Sequence, residues 1–385
     1  MQKMTTKLSI FVLATALFVV TTSEFQVSAM MTDMAVDLGQ PIGKLTHLVT
    51  AYSLGMALGG PTLAWALNGK PVRACLTGAV FVYAGVEITA SFSPTFTVLL
   101  IIRFLTGCLS GAIFGLSLTA GVLLAGTRNQ SRAAAAILSG LMAGTLLGLP
   151  LSHVIGWLAG WRMSFILLGF AAFMIAVVLA AALPRIPALS GEGTERVSVV
   201  SNPGVWSRML TSFFTIGGSF AAFALIDPIL RRAGFTPIGT TVALIGFGVA
   251  AFTGNLLWGK VSETNAQKFL LAGLSAQAVA LLLLVATPNA GPITALAIVA
   301  LGGTGMALNP LLVTRLMAQA DPHPFINTVH TGFITMGAAA ATAASGYVLA
   351  NETSLTPSIH VGVVFTLIAW IITVVTPDHS DVRQG

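Results

Sequence analysis

Residues Thr95–Leu124 read TFTVLLIIRFLTGCLSGAIFGLSLTAGVLL, an unbroken apolar run that carries a single charge, Arg103. Coiled as an α-helix, such a run is about 45 Å long and more than crosses a hydrocarbon core of ~30 Å. A guanidinium stays ionised at any accessible pH, and at mid-membrane it costs at least about 2.5–3.5 kcal/mol. Ser93-Pro94 ends the preceding turn, which places Arg103 roughly 12–15 Å along the helix, near the midplane and beyond the reach of either surface. It must therefore point into protein, toward polar groups or water. Gly107, Ser110, Gly111, Ala112 and Gly115 follow it and leave a smooth face on which a neighbouring helix can pack closely.

The rest of the chain agrees with that reading. Of its 385 residues 55% are hydrophobic and only 8% charged, with a mean hydropathy of +0.90, whereas soluble domains hold roughly 25% charged residues. The net charge is +6, but the basic residues sit in short connections, so they report topology and not a nucleic-acid footprint. Cys75 and Cys108 fall in apolar segments without CxxC or metal-ligand spacing, so neither a disulfide nor a zinc site is expected. Neither HExxH nor GxSxG occurs, which argues against an intramembrane enzyme.

Twelve segments reach spanning length, at about 8–31, 45–67, 74–92, 96–124, 133–158, 163–183, 207–227, 238–259, 268–287, 292–314, 327–349 and 358–376. The longest connection, 184–206, is polar and contains Pro184, Pro187, Gly191, Gly193 and Pro203. It separates an N-terminal six-helix half (1–183) from a C-terminal one (207–376), and a polar tail (377–385) follows. With the N-terminus inside, the cytoplasmic side holds 13 Lys and Arg, among them Lys70, Arg73, Arg208 and Arg315, against 4 outside (Lys44, Arg162, Arg231, Arg232). Both termini are then cytoplasmic. Lys3, Lys7 and the Val27-Ser28-Ala29 stretch also resemble a signal peptide, but cleavage would remove a span and reverse the charge bias.

Polar groups inside such segments are the candidates for function. Glu24 lies among Thr21-Thr22-Ser23-Glu24-Phe25-Gln26, 17 residues past Lys7, about 25 Å along the helix and in the outer third of the membrane. It reads either as a carboxylate at the outer interface or as a proton site in an outward-opening cavity. Glu87 comes seven residues before Pro94 and reads equally as interfacial or functional. Arg103 either tunes a nearby carboxylate or forms a fixed buried ion pair. Asp227, followed by Pro228 and Arg231-Arg232, is expected at the outer surface in a loop ion pair. His153 can titrate near neutral pH or simply be hydrogen-bonded. Asn255, Gln277, Asn309 and His330 are polar groups in apolar helices that could line a cavity, and Asn309-Pro310 marks a bend.

The connection Asn68-Gly69-Lys70-Pro71-Val72-Arg73, with Leu63 and Ala64 before it, resembles the signature between the second and third helices of the major facilitator superfamily, Gly-x-Leu-Ala-Asp-Arg-x-Gly-Arg-Lys. Trp65 stands where that family has Asp, which removes the charge relay attributed to the motif in this half. Gly259-Lys260-Val261-Ser262-Glu263 supplies the Gly and the acid at the matching place in the second half, as a repeated six-helix unit would. Arg103-Phe104-Leu105-Thr106-Gly107 and Ala112 resemble the family's fourth-helix pattern, whose arginine is thought to take part in proton transfer. Gly140, Gly144, Gly148 and Pro150, closed by Gly160-Trp161-Arg162, resemble the fifth-helix antiporter motif, with Ser152 in place of a usual Gly. Glycines four apart bring backbones together and Pro150 bends the helix, so this helix reads as a hinge. Ser23-Glu24-Phe25, Ser28 and Asp33–Gly39, with Arg231-Arg232-Ala233-Gly234-Phe235, resemble the chloramphenicol-resistance and sugar-efflux-like bacterial permeases.

The resemblance implies an all-α fold of twelve transmembrane helices in two pseudo-symmetric halves, and a drug:proton antiporter of the bacterial inner membrane. Such a protein binds small amphiphilic compounds, exports them by alternating access as a monomer, and is driven by the proton gradient without a cofactor. Its partners are the substrate, protons and the lipid bilayer, with no nucleic acid. A sugar or metabolite exporter of the same fold is the alternative, and a non-transporting receptor a remote one. With 22 Phe against 6 Trp and 3 Tyr, the composition favours broad apolar walls over a sugar platform.

Overall fold

The computed structural model describes residues 2–66, 69–126, 129–184, 186, 202–319, 324–350, 352 and 354–377. Most of the expected linker (187–201), the tail from 378, and Arg128, Arg185, Arg196 and Arg383 lie outside the described residues, as does the Trp65 side chain. No strand occurs among the described residues. The helices are α1 (Gln2–Ala29), α2 (Met31–Asp37), α3 (Ile42–Ala66), α4 (Val72–Ser91), α5 (Phe96–Ala125), α6 (Gln130–Ala143), α7 (Leu149–Ala159) and α8 (Trp161–Ala182), then α9 (Pro203–Phe223), α10 (Ile226–Arg232), α11 (Pro237–Trp258), α12 (Ala266–Ala286), α13 (Gly291–Thr304), α14 (Asn309–Met317), α15 (Pro324–Val348) and α16 (Thr356–Val375).

Among the described residues, nine helical rods are long and apolar enough to cross a membrane, and the bent pair α9–α10 makes a tenth. Helices α3 and α15, of 25 residues each, fill the second and eleventh places in the expected order, and at about 37 Å each is long enough to span. Many large apolar side chains stay exposed, Phe11 (68%), Leu158 (70%) and Val375 (72%) among them, which suits an exterior facing lipid.

Two compact units result, one from Met1–Leu38 with Ala51–Glu192 and the other from Gly39–Thr50 with Gly193–Gly385. In the first, Leu13, Leu17, Leu76, Ile113, Ile137 and Leu179 meet in one buried cluster. Helix α5 starts where expected, with the Thr95 hydroxyl accepting from Val98 N at 3.4 Å, an N-cap that satisfies one of the helix's orphan donors. The fifth rod is not one α-helix: Gly144–Gly148 forms a π-helical turn between α6 and α7. Pro150 follows immediately, and because proline has no N–H to give, the widened turn rearranges bonds the ring would interrupt. The glycine face of this rod packs on α1. A methyl group added at Gly140 would come within 1.9 Å of Ala14 O, at Gly144 within 2.8 Å of Thr21 Cβ, and at Gly148 within 2.3 Å of Thr22 Oγ1.

In the second unit two rods break. Helix α9 ends at Phe223, and α10 tips away by 44°. The tenth rod stops at Thr304, passes through one tight turn at Met306–Leu308 and resumes at Asn309, so the break precedes the expected bend at Asn309-Pro310. Basic residues close several helix ends. Arg73 donates to Ala180 O at the end of α8, while Arg208 donates to Pro377 O at 3.1 Å and Arg315 to Thr376 O at 3.0 Å, just past α16. Arginine on terminal carbonyls satisfies acceptors the helix leaves open and complements its dipole. Arg208 and Arg315 are accordingly buried, at 4% and 2% exposure, and are not the free loop charges the count of basic residues took them for.

Candidate functional site

Arg103 is fully buried in the first unit. Its Nη1 donates to Ser23 Oγ at 3.1 Å and its Nη2 to Ser23 O at 3.0 Å. Its Cζ lies 4.3 Å from the centre of the Tyr52 ring, a distance at which the ring face attracts the cation. The crossing that brings Tyr52 there depends on glycine, because a methyl at Gly107, one turn after Arg103, would stand 2.1 Å from Tyr52 O. The Tyr52 hydroxyl lies 2.9 Å from Val20 O and 2.7 Å from Ser110 Oγ, so α1, α3 and α5 are tied together around the guanidinium.

The counter-charge comes from α4. Glu87, also fully buried, accepts at Oε1 from Ser23 Oγ at 2.9 Å and from Gln26 Nε2. Ser23 and Gln26 are three apart on α1 and share a face. A serine hydroxyl has one donor and two acceptor positions, and Ser23 uses all three: it donates to Glu87 and accepts from Arg103 and, at 3.5 Å, from Gln26. Gln26 Oε1 in turn accepts from Ser164 Oγ of α8 at 3.3 Å. A cation and a carboxylate are thus linked through one hydroxyl inside the fold, and a buried pair of this kind persists only with such bonds to offset desolvation.

The sequence singled out Glu24, Glu87 and Arg103, and the structure brings them together. Glu24, next to Ser23, is only partly buried, and the charge of Arg103 acts on it as on Glu87. Glu87 is sealed, because α4 carries it onto the face that meets α1. Ser23 and Gln26 lay in the quoted first-helix stretch without a role, and only their three-residue spacing hinted at one. Tyr52 and Tyr83 carried no local signal.

The remaining candidates lie elsewhere. His153 is buried and donates from Nδ1 to Ala29 O at 2.9 Å. Asp227 is fully buried instead of lying at the outer surface, since the break before α10 turns its first residues inward; it does pair with Arg231, at 2.7 Å. His330 faces Ser212 Oγ at 2.8 Å, and because Ser212 gives its own proton to Arg208 O at 3.0 Å, the histidine Nε2 is the donor. Gln277 donates to Thr215 O at 3.1 Å and Thr366 Oγ1 at 2.9 Å, Asn255 is half-buried, and Asn309 Oδ1 is buried at the start of α14 without a hydrogen bond among the described residues. Lys70 is exposed, as are Gly259 and Glu263 beyond the end of α11. The second unit's interior thus holds Asp227, Arg208, Arg315 and His330 beside amides and hydroxyls. No group of three metal-ligating side chains occurs among the described residues.

The sequence matches the Major Facilitator Superfamily over residues 13–345. The chain belongs to this superfamily. It is a multi-pass membrane transporter, binds small-molecule substrates within the membrane, and is not an enzyme. As a superfamily member it is 28% identical to a chloramphenicol resistance protein of Streptomyces lividans, with 90% of each chain covered. It is 27% identical to the inner membrane transport protein YdhP of Escherichia coli, over 88% of this chain and 87% of that one. A probable sugar efflux transporter of Helicobacter pylori is 29% identical over 68% of this chain and 67% of its own. Among solved superfamily folds, a bacterial homologue of the human lysosomal transporter Spinster, crystallised inward-facing and occupied, superposes with a TM-score of 0.72 at 16% identity, covering 96% of this chain and 95% of that one.

Proposed function

We propose that this transporter is a proton-coupled exporter of small amphiphilic compounds, antibiotics among them, working by alternating access as a monomer in the bacterial inner membrane with both termini in the cytoplasm. The observation that carries the reading is Arg103, sealed in the first unit and shared by two carboxylates, Glu87 through Ser23 and Glu24 beside it. Charges kept in a low-dielectric interior are costly, and a cation with two acids can change partner as one of them gains a proton. No cofactor enters this scheme; the proton gradient supplies the energy. The efflux-type names of the relatives support export, and the 13-to-4 bias of basic residues supports the orientation.

An amphiphile is favoured over a sugar by the fate of the tyrosines. Of the 3 in the chain, Tyr52 and Tyr83 are enclosed in the Arg103 cluster and Tyr347 is 82% exposed, so they are poor platforms for stacking a sugar. The test is susceptibility of an efflux-deficient host carrying this chain, across antibiotics and sugars, with and without a protonophore. Raised resistance to amphiphilic antibiotics that the protonophore abolishes is expected. Protection only against sugars would select the sugar exporter, and protection indifferent to the protonophore would overturn proton coupling.

A further inference from the structure

Glu87 is bonded at one oxygen only. Ser23 and Gln26 both donate to Oε1, whereas Oε2 is buried and has no hydrogen-bond partner among the described residues. Buried acceptors are nearly always satisfied, and each exception needs a reason. The Tyr83 hydroxyl is in the same condition: fully buried and without a hydrogen-bond partner among the described residues. It stands one helical turn before Glu87 on the same face of α4, and the Glu87 charge acts on it. The titratable groups coupled to Glu87 are Tyr83 on its own helix, Tyr52 on α3 and Arg103 on α5, and Glu24 on α1 acts on the same Tyr52 and Arg103. Helix α8, packed against α4, offers Ser164, and its one ionisable residue, Arg162, is engaged with Asp37.

We propose that the coupling proton is held on Glu87, at Oε2, and that Arg103 then exchanges Glu87 for Glu24. The proposal rests on the proton-coupled reading above and names the site where that proton resides. A proton added to Oε2 leaves the bonds from Ser23 and Gln26 to Oε1 in place. What changes is charge: Glu87 becomes neutral, and Glu24, partly exposed where Glu87 is sealed, is left as the anion for the guanidinium. Loss of the proton to water reverses the exchange. One proton enters, one ion pairing replaces another, and no further group is consumed.

The carboxyl infrared band of the purified full-length protein, followed from mildly acidic to alkaline pH, tests this without a substrate. Wild type is expected to show a protonated-carboxyl band that titrates, that is lost in Glu87→Gln, and that persists in Glu24→Gln. A band that survives Glu87→Gln or disappears only in Glu24→Gln would overturn the assignment. If the band behaves as expected while the wild-type protein in vesicles moves substrate without protons, the proton-coupled reading fails and the Glu87 site stands.

Discussion

Ser23 and Arg103 are joined twice, Nη1 to the hydroxyl at 3.1 Å and Nη2 to the carbonyl at 3.0 Å. The hydroxyl is also the link to Glu87. Ser23→Ala deletes that link and leaves charged partners unsatisfied, a loss of about 1.5–3 kcal/mol. Thermal unfolding in detergent should show Ser23→Ala well below wild type and Ser23→Thr, which keeps the hydroxyl, close to it. Equal melting temperatures for Ser23→Ala and wild type would mean the bridge has no energetic weight.

Arg103→Lys keeps the charge but loses the planar fork that reaches the hydroxyl and carbonyl of Ser23 while stacking on Tyr52. One charged hydrogen bond is worth enough to lower gradient-driven transport by about tenfold or more. Arg103→Ala, which strands a buried carboxylate, should destabilise by about 3–5 kcal/mol. Initial rates in proteoliposomes, set beside melting curves, separate the two effects; a lysine variant with wild-type rates would show that charge alone suffices.

Two glycines of α5 should respond oppositely to the same change. At Gly107 a methyl would meet Tyr52 O at 2.1 Å, whereas at Gly115 nothing lies within 4 Å. Gly107→Ala must push α3 away from α5 and should cost about 1–3 kcal/mol, with transport falling as Tyr52 leaves Arg103. Gly115→Ala gains helix propensity, at most about 1 kcal/mol. Melting temperatures that do not separate these variants would contradict the tight crossing.

Outside the membrane span, Asp37 accepts from Trp161 Nε1 at 3.1 Å and from Arg162. The Arg162 bond holds the Asp37 carboxyl below its usual value. A depressed carboxylate stabilises the fold above its unfolded pKa of about 3.9, and that contribution is lost as pH falls through the lower folded value. Both side chains are more than 40% exposed, so the effect is small and weakened by salt. Asp37→Asn should melt slightly below wild type at neutral pH and converge with it in strong acid; a gap that widened on acidification would reverse the sign argued here.

The sequence was most readable where a single segment carries its own reason. A cation within thirty apolar residues has to turn inward, and Arg103 does; Glu24 and Glu87 were likewise visible as acids in oil. What joins them was not visible, because Ser23, Gln26, Tyr52 and Tyr83 are ordinary residues until α1, α3, α4 and α5 cross. Breaks were harder still. Pro150 announced a disturbance but not a π turn beginning six residues before it, and Asp227-Pro228 announced a helix end but not the 44° turn that buries the acid. Charge counting offered an expected orientation but missed that Arg208 and Arg315 close the end of α16.

The central claim is that the acids around Arg103 tie proton movement to substrate movement, and comparing two modes of transport by Glu24→Gln tests it most directly. In vesicles containing the purified protein, substrate exchange at equal pH should survive in Glu24→Gln, while accumulation driven by an imposed proton gradient should be lost. Gradient-driven accumulation at the wild-type level in that variant would contradict the account.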